Sequence, residues 1–354
     1  MSAAPTRPLR ILVLDGGGIK GYTSLLILQR IFRMLKDKAG NQLTEQPKPC
    51  DVFDLIVGTS TGGLIAVMLG RLHMTIEEAI KQYETVGEKV FGKPTYGKVG
   101  LAARGIVGRP LYSIETLQEC IKDAIGTRVP VVPPDALFCE ERDPGCKVML
   151  CVTRKRTYTP DVLRNYATNA PTKENYECQI WEATSATAAA PIYFKPVELR
   201  KRREKWVDGG LKRNNPINVA MEEVSRLQKS SFKDREIGCV VSIGTGAPQI
   251  TGVSSNLVGF LAGAVEMMTD SEDIAEQFAN SSEGIRLTSA NRYFRFNVPQ
   301  GMQDLQLDDW RETEKMRALT ASYLRKNTSG VETERCAEVL LSPDVNSQSL
   351  DGDG

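Results

Sequence analysis

The chain has 354 residues, 41% hydrophobic and 6% aromatic, and its 45 basic and 44 acidic side chains leave a net charge of +1. That balance supplies no global field for nucleic acid, and no run approaches the ~20 apolar residues of a membrane span. Met1 to Pro8 lacks the apolar core of a secretion signal, so a cytoplasmic chain is expected, with an ordinary composition that fits one large α/β domain. Eight cysteines are scattered with no Cys-x-x-Cys pair, which argues against a zinc site or a disulfide framework and predicts free thiols.

Leu9 to Leu14 is a continuous apolar run of the kind found in parallel strands covered on both faces. It leads directly into the glycine loop Asp15, Gly16, Gly17, Gly18, Ile19, Lys20, Gly21, and then into a helix from Tyr22 to about Lys36. Leu25, Leu28, Ile31, Phe32 and Leu35 share one face of that helix. A polar, proline-bearing stretch follows, and the next strand, ending Leu55-Ile56-Val57, carries Gly58-Thr59-Ser60-Thr61-Gly62 into the apolar helix that starts near Leu64. This is the Gly-x-Ser-x-Gly elbow: a strand that reverses into a helix within about five residues crowds the positions on either side of the serine, and glycines remove the collision. Three fixed positions match by chance in about one chain in ten of this length, so the context must carry the argument.

Thr75 to Val90 reads as a helix with Thr75 as its N-cap and Glu77 and Glu78 in its first turn. Residues 92–110 mix five glycines with Lys93, Lys98, Arg104 and Arg109, and read either as a surface loop or as a basic and apolar flap over a lipid-facing mouth. Ser113 to Ile125 is an amphipathic helix, and Lys147 to Thr153 a buried strand. Trp181 to Ala190 is a helix of small residues, stopped by Pro191, that can pack closely on the elbow. The basic stretch Arg200 to Lys205 reads as a solvated hairpin tip, followed by Trp206-Val207-Asp208-Gly209-Gly210 and Asn214-Asn215-Pro216. Ile237 to Ile243 and Tyr293 to Val298 read as strands and Asp309 to about Arg325 as the last long helix, while the polar tail from Ser342 is expected to be disordered.

A serine hydroxyl needs a base, and the usual base is histidine. The chain holds one histidine, His73, thirteen residues beyond Ser60 at the far end of the elbow helix, which at 1.5 Å per residue leaves roughly 15–20 Å between them. A Ser-His-Asp triad is therefore excluded by counting, and the base must be a carboxylate. Asp208 is the candidate, because it ends a strand and Gly209 and Gly210 let the backbone turn away beside it. A carboxylate is a weak base for a hydroxyl, so such a pair depends on a strong oxyanion hole, for which N–H groups of Gly16, Gly17 and Gly18 are available. The same loop matches the dinucleotide fingerprint Gly-x-Gly-x-x-Gly, which keeps a nucleotide-binding regulator open. Against that reading, no second strand with a terminal acidic residue follows; a Walker A loop is excluded because Tyr22 and Thr23 follow Gly21.

Taken together, these motifs resemble the patatin-like phospholipase family over roughly residues 9–325. The resemblance rests on Asp15 to Gly21, Gly58 to Gly63, Ala183 to Ala186 with Pro191 to Phe194, Asp208 to Gly210 with Asn214 to Pro216, and Ser242 to Gly246, all in family order. It implies a three-layer α/β/α fold related to the α/β-hydrolases, with a central, mostly parallel sheet. It also implies a Ser60–Asp208 dyad, an oxyanion hole from the glycine loop, and metal-independent, cofactor-free hydrolysis of fatty-acyl esters in phospholipids or galactolipids at a membrane surface. Gly58, Gly62, Lys20, Gly21, Gly209 and Gly210 are the supporting motif positions. Lys20 stands where many members carry arginine, which keeps the charge and loses the bidentate fork. An acyltransferase using the same dyad is the nearest rival. The expected organisation is an N-terminal extension over 1–8, the patatin-like domain over 9–325 and a C-terminal segment over 326–354, with a fused or regulatory partner domain left open.

Overall fold

The computed structural model describes residues 7–40, 43–92, 110–128, 131–168, 177–199, 204–246, 271–299, 301–302 and 305–342. Eight strands form one sheet: β1 (Leu9–Leu14), β2 (Leu55–Thr59), β3 (Lys147–Arg154), β4 (Pro160–Arg164), β5 (Val197–Leu199), β6 (Glu204–Asp208), β7 (Ile237–Ile243) and β8 (Tyr293–Phe296). Their order is β5-β6-β3-β2-β1-β7-β8, with β4 pairing to β3 off that path. The pairs β3/β2, β2/β1, β1/β7 and β7/β8 are parallel, and the three pairs involving β4, β5 or β6 are antiparallel. The β5–β6 hairpin flanks the basic stretch as expected, and its tip, 200–203, lies outside the described residues, as does nearly all of the 92–110 stretch.

Helices of six residues or more are α1 (Gly21–Ala39), α2 (Thr61–Ala66), α3 (Ile76–Phe91), α4 (Ile114–Gly126), α5 (Ile180–Ala188), α6 (Ile217–Leu227), α7 (Ser271–Ala279), α8 (Ser282–Ser289), α9 (Thr313–Leu324) and α10 (Asn327–Leu341). The strand periodicity of two sorts the central strands between two cores. Leu12, Leu14, Ile56 and Leu150 face the core made with α1 to α5, α9 and α10, whereas Ile11, Val13, Val57 and Met149 face the one made with α6, α7 and α8. Helices thus cover both faces of the sheet, which is the three-layer α/β/α arrangement expected.

Two features depart from the sequence reading. The short strand β4 and the helices α6, α7 and α8 have no counterpart among the expected elements. The packed unit also runs past the expected limit at 325, because α10 buries Cys336, Ala337 and Leu340 in the same core as α1. Lys38 of α1 reaches Glu334 and Glu338 across that contact, and the Arg10 guanidinium donates to the carbonyl of Ser342.

Register brings the chemistry to one edge. Leu14 stands beside Gly58 and Thr59 beside Cys151, so the glycine loop after β1 and the serine after β2 emerge side by side at the carboxyl ends of the parallel strands. Strand β6 enters from beyond that edge and ends with Asp208 opposite Val152, one residue past Cys151.

Candidate active site

Ser60 occupies the turn between β2 and α2 with φ 56° and ψ −124°, a backbone conformation rare for a residue with a side chain and held only where the surroundings impose it. The surroundings do so here. A Cβ on Gly58 would lie 2.2 Å from the carbonyl oxygen of Gly62, the collision the motif is built to avoid. Gly62 has a different reason: its Cβ would lie 2.4 Å from the carbonyl oxygen of Leu14, so it admits the end of β1. Gly63 makes room for Thr187 on α5 in the same way, which places the small-residue helix against the elbow as the sequence suggested.

The Ser60 hydroxyl donates to Asp208 Oδ2 at 2.5 Å, and the other carboxylate oxygen accepts the Gly210 N–H at 2.7 Å. Asp208 is fully buried. Burial pushes its carboxyl from the ordinary 3.8 up to about 7, against the opposing pull of the hydrogen bonds from Ser60 and Gly210. A carboxylate so placed is a far better proton acceptor at neutral pH than one in water. Gly209 lets this turn lie on β3, since a Cβ there would be 2.3 Å from the Cys151 carbonyl oxygen. Thr187, which the sequence reading passed over, ties the arrangement together: its hydroxyl donates to the Cys151 carbonyl at 2.6 Å and accepts the Ser60 N–H at 3.0 Å.

The glycine loop crosses in front of Ser60. Contrary to expectation, Gly16 is not a free donor: its N–H is already given to the Asn214 carbonyl at 3.1 Å, so it has no proton to offer an oxyanion. The Gly16 carbonyl accepts from the Thr245 hydroxyl at 2.8 Å and from Asn214 Nδ2 at 3.3 Å. In a trans peptide the N–H points opposite the C=O, so these bonds also set the direction of the Gly17 N–H. The Gly18 carbonyl accepts from the Tyr83 hydroxyl at 2.6 Å, and the Ile19 N–H goes to the Leu307 carbonyl at 2.8 Å. Among the described residues, the N–H groups of Gly17 and Gly18 have no partner. Both glycines line the cavity that holds Ser60 and Asp208, at the head of the short turn leading into α1. Packing accounts for these two glycines: a Cβ at Gly17 would meet the Thr245 side chain and one at Gly18 the Leu307 backbone.

Most of the remaining cavity wall is apolar, with Leu64, Val86, Val90, Phe91, Leu117 and Phe194 among its lining residues. Lys20 is not on this surface: it is buried, burial lowers its pKa against the pull of Asp309, and it is no open contact for a lipid phosphate. Gly21 lies under the Tyr83 hydroxyl, which a Cβ would approach to 2.5 Å. His73 is exposed, just beyond the π-helical residues Val67–Arg71 that continue α2, and is not among the residues lining the cavity. All eight cysteines are free thiols. Among the described residues, no group of three or more His, Cys, Asp or Glu side chains is placed to hold a metal ion, and no helix is long and apolar enough to cross a membrane.

Residues 12–221 match the family model described as patatin-like phospholipase. The rat calcium-independent phospholipase A2-gamma is 31% identical over 97% of this chain and 42% of its own length. Patatin-like phospholipase 1 of Plasmodium falciparum is 27% identical over 97% of this chain and 51% of its own. The cGAMP-activated phospholipase of Vibrio cholerae is 28% identical over 71% and 68% respectively. The chain thus spans about half the length, or less, of the first two.

Proposed function

The chain belongs to the patatin-like phospholipase family, and from that we propose that it is a metal-independent lipid acyl hydrolase that cleaves fatty-acyl esters of phospholipids or galactolipids through Ser60 and Asp208. The observation that carries the proposal is the 2.5 Å hydrogen bond from the Ser60 hydroxyl to a buried carboxylate, beneath an apolar cavity and beside two unpartnered N–H groups. Asp208 Oδ2 takes the hydroxyl proton as Ser60 Oγ attacks the ester carbon. The N–H groups of Gly17 and Gly18 hold the oxygen that becomes negative. The tetrahedral intermediate collapses to an acyl-serine, and the proton on Asp208 passes to the departing lyso-lipid oxygen. Asp208 then accepts a proton from water, which attacks the acyl-serine; fatty acid leaves and the Ser60 hydroxyl is restored. The carboxylate turns over without being consumed, so the scheme calls for no metal ion.

The substrate side of the proposal rests on the cavity wall. Fatty chains are recognised by apolar area, and Leu64, Val86, Val90, Leu117 and Phe194 offer it directly above the serine. A lipid presented in a bilayer is the natural source of such a chain, so the encounter with the membrane surface is transient and peripheral. The catalytic unit is proposed to run from Leu9 through α10.

The test is fatty-acid release from mixed phospholipid vesicles in excess chelator, comparing wild type with Ser60→Ala. Release that persists in chelator and vanishes in the variant is the expected result. Release that chelator abolishes, or that Ser60→Ala retains, would overturn the proposal.

A further inference from the structure

The glycine loop is held from outside by a residue far away in sequence. Arg295 lies on β8 beside Ser242 of β7, two strands from β1 and beyond the residues that match the family model. Its guanidinium grips Asp15, the residue that opens the loop, as a fork: Nη1 donates to Oδ1 at 3.2 Å and Nη2 to Oδ2 at 2.7 Å. Nη1 also donates to the Ser242 hydroxyl at 2.9 Å, while Nε at 3.1 Å and Nη2 at 2.5 Å donate to Glu272 Oε1 on the first turn of α7. The preceding residue on that turn, Ser271, holds the next part of the loop indirectly. Its hydroxyl accepts from Asn214 Nδ2 at 2.8 Å and its carbonyl from Asn215 Nδ2 at 3.0 Å, and Asn214 clasps both ends of the Gly16 residue.

Resting on the function proposed above, we infer that Arg295 is a positioning residue for the oxyanion donors, acting through Asp15 and, with the start of α7, through Asn214. Asp15 and Gly16 immediately precede Gly17 and Gly18. With both preceding residues clamped to β8 and α7, the two donating N–H groups have one direction to point. The clamp depends on the planar fork. Lysine places a single cation near Asp15, and one point charge does not orient a carboxylate in two directions at once. Burial pushes the Asp15 carboxyl up to about 6 even against the pull of Arg295, so the site carries a charge that the guanidinium must balance as well as orient.

The experiment compares wild type, Ser60→Ala, Arg295→Lys, Arg295→Met and Glu272→Gln in hydrolysis of a soluble short-chain ester and in amide hydrogen exchange of the peptide covering residues 15–21. Arg295→Met is expected to lower kcat about 100-fold with KM within about threefold, because an oxyanion hole acts on the transition state and not on ground-state binding. Arg295→Lys, which keeps the charge and safeguards folding, is expected to recover only part of that loss, and Glu272→Gln to lose only a few-fold because the Asp15 fork survives. Exchange in the 15–21 peptide is expected to speed up in Arg295→Lys. A kcat within about threefold of wild type in both Arg295 variants, or a loss borne by KM alone, overturns the inference while leaving the Ser60 hydrolase reading intact. If instead Ser60→Ala hydrolyses the ester like wild type, the hydrolase reading falls, and exchange alone decides the clamp: faster exchange in Arg295→Lys upholds it and unchanged exchange refutes it.

Discussion

Asp208→Asn separates what the site costs from what it does. The folded carboxyl titrates near 7 and an unfolded one near 3.8, so protonation favours the native state. The sign follows from that order: the stability contribution is fully present below the unfolded pKa and is lost as pH rises through the folded one. Between pH 5 and 8, wild type therefore gives up about two pH units of linkage at about 1.4 kcal/mol each, or about 3 kcal/mol. Asparagine removes the titration without orphaning its partners, since its carbonyl still accepts the Gly210 N–H and its amide meets Ser60 Oγ. The expected outcome, read by urea unfolding at both pH values, is that the variant gains about 3 kcal/mol on wild type between pH 5 and 8 while ester hydrolysis falls on the order of 10³-fold. Parallel stability curves for the two proteins would refute a carboxyl raised by burial, and with it the account of Asp208 as a tuned base.

The same shift predicts that kcat/KM rises with pH through about 7 as Asp208 loses its proton, and that His73→Ala leaves the profile unmoved; a limb that disappears with His73 would contradict this. Gly58→Ala drives a methyl into the Gly62 carbonyl, a backbone atom with nowhere to go, so a loss of about 3 kcal/mol and a melting midpoint lower by about 4 °C are expected. A soluble variant melting like wild type would speak against the elbow packing. Thr187→Val leaves the Ser60 N–H without its acceptor in a buried site, at a cost of about 1–3 kcal/mol, and kcat is expected to fall about tenfold. Thr187→Ser should restore both if the hydroxyl, and not the methyl, is what matters.

Much of this site was legible in the chain because its signals are local. Apolar runs such as Leu9 to Leu14 and Ile237 to Ile243 identify strands covered on both faces, the glycines around Ser60 mark a turn only they can make, and a single misplaced histidine forces the base to be a carboxylate. Locality also bounds what could be read. Thr187 is one threonine in a run of small residues, and Arg295 one arginine in a short strand; neither carries a signal until the fold brings it to Ser60 or Asp15. Asn214 to Pro216 and Ser242 to Gly246 belonged to the resemblance without roles, and the structure gives Asn214 and Thr245 the same task of holding the Gly16 peptide. The helix α10 was missed because its sequence is polar on most faces and its partner, α1, lies three hundred residues earlier. The sequence by itself determined the strand and turn chemistry and singled out Ser60 and a carboxylate partner as candidates, because these follow from residue type and spacing. Only the tertiary structure decided which glycine N–H groups remain free, how far Asp208 is desolvated and what clamps the loop, because hydrogen-bond partners and burial are properties of segments that meet across the sheet.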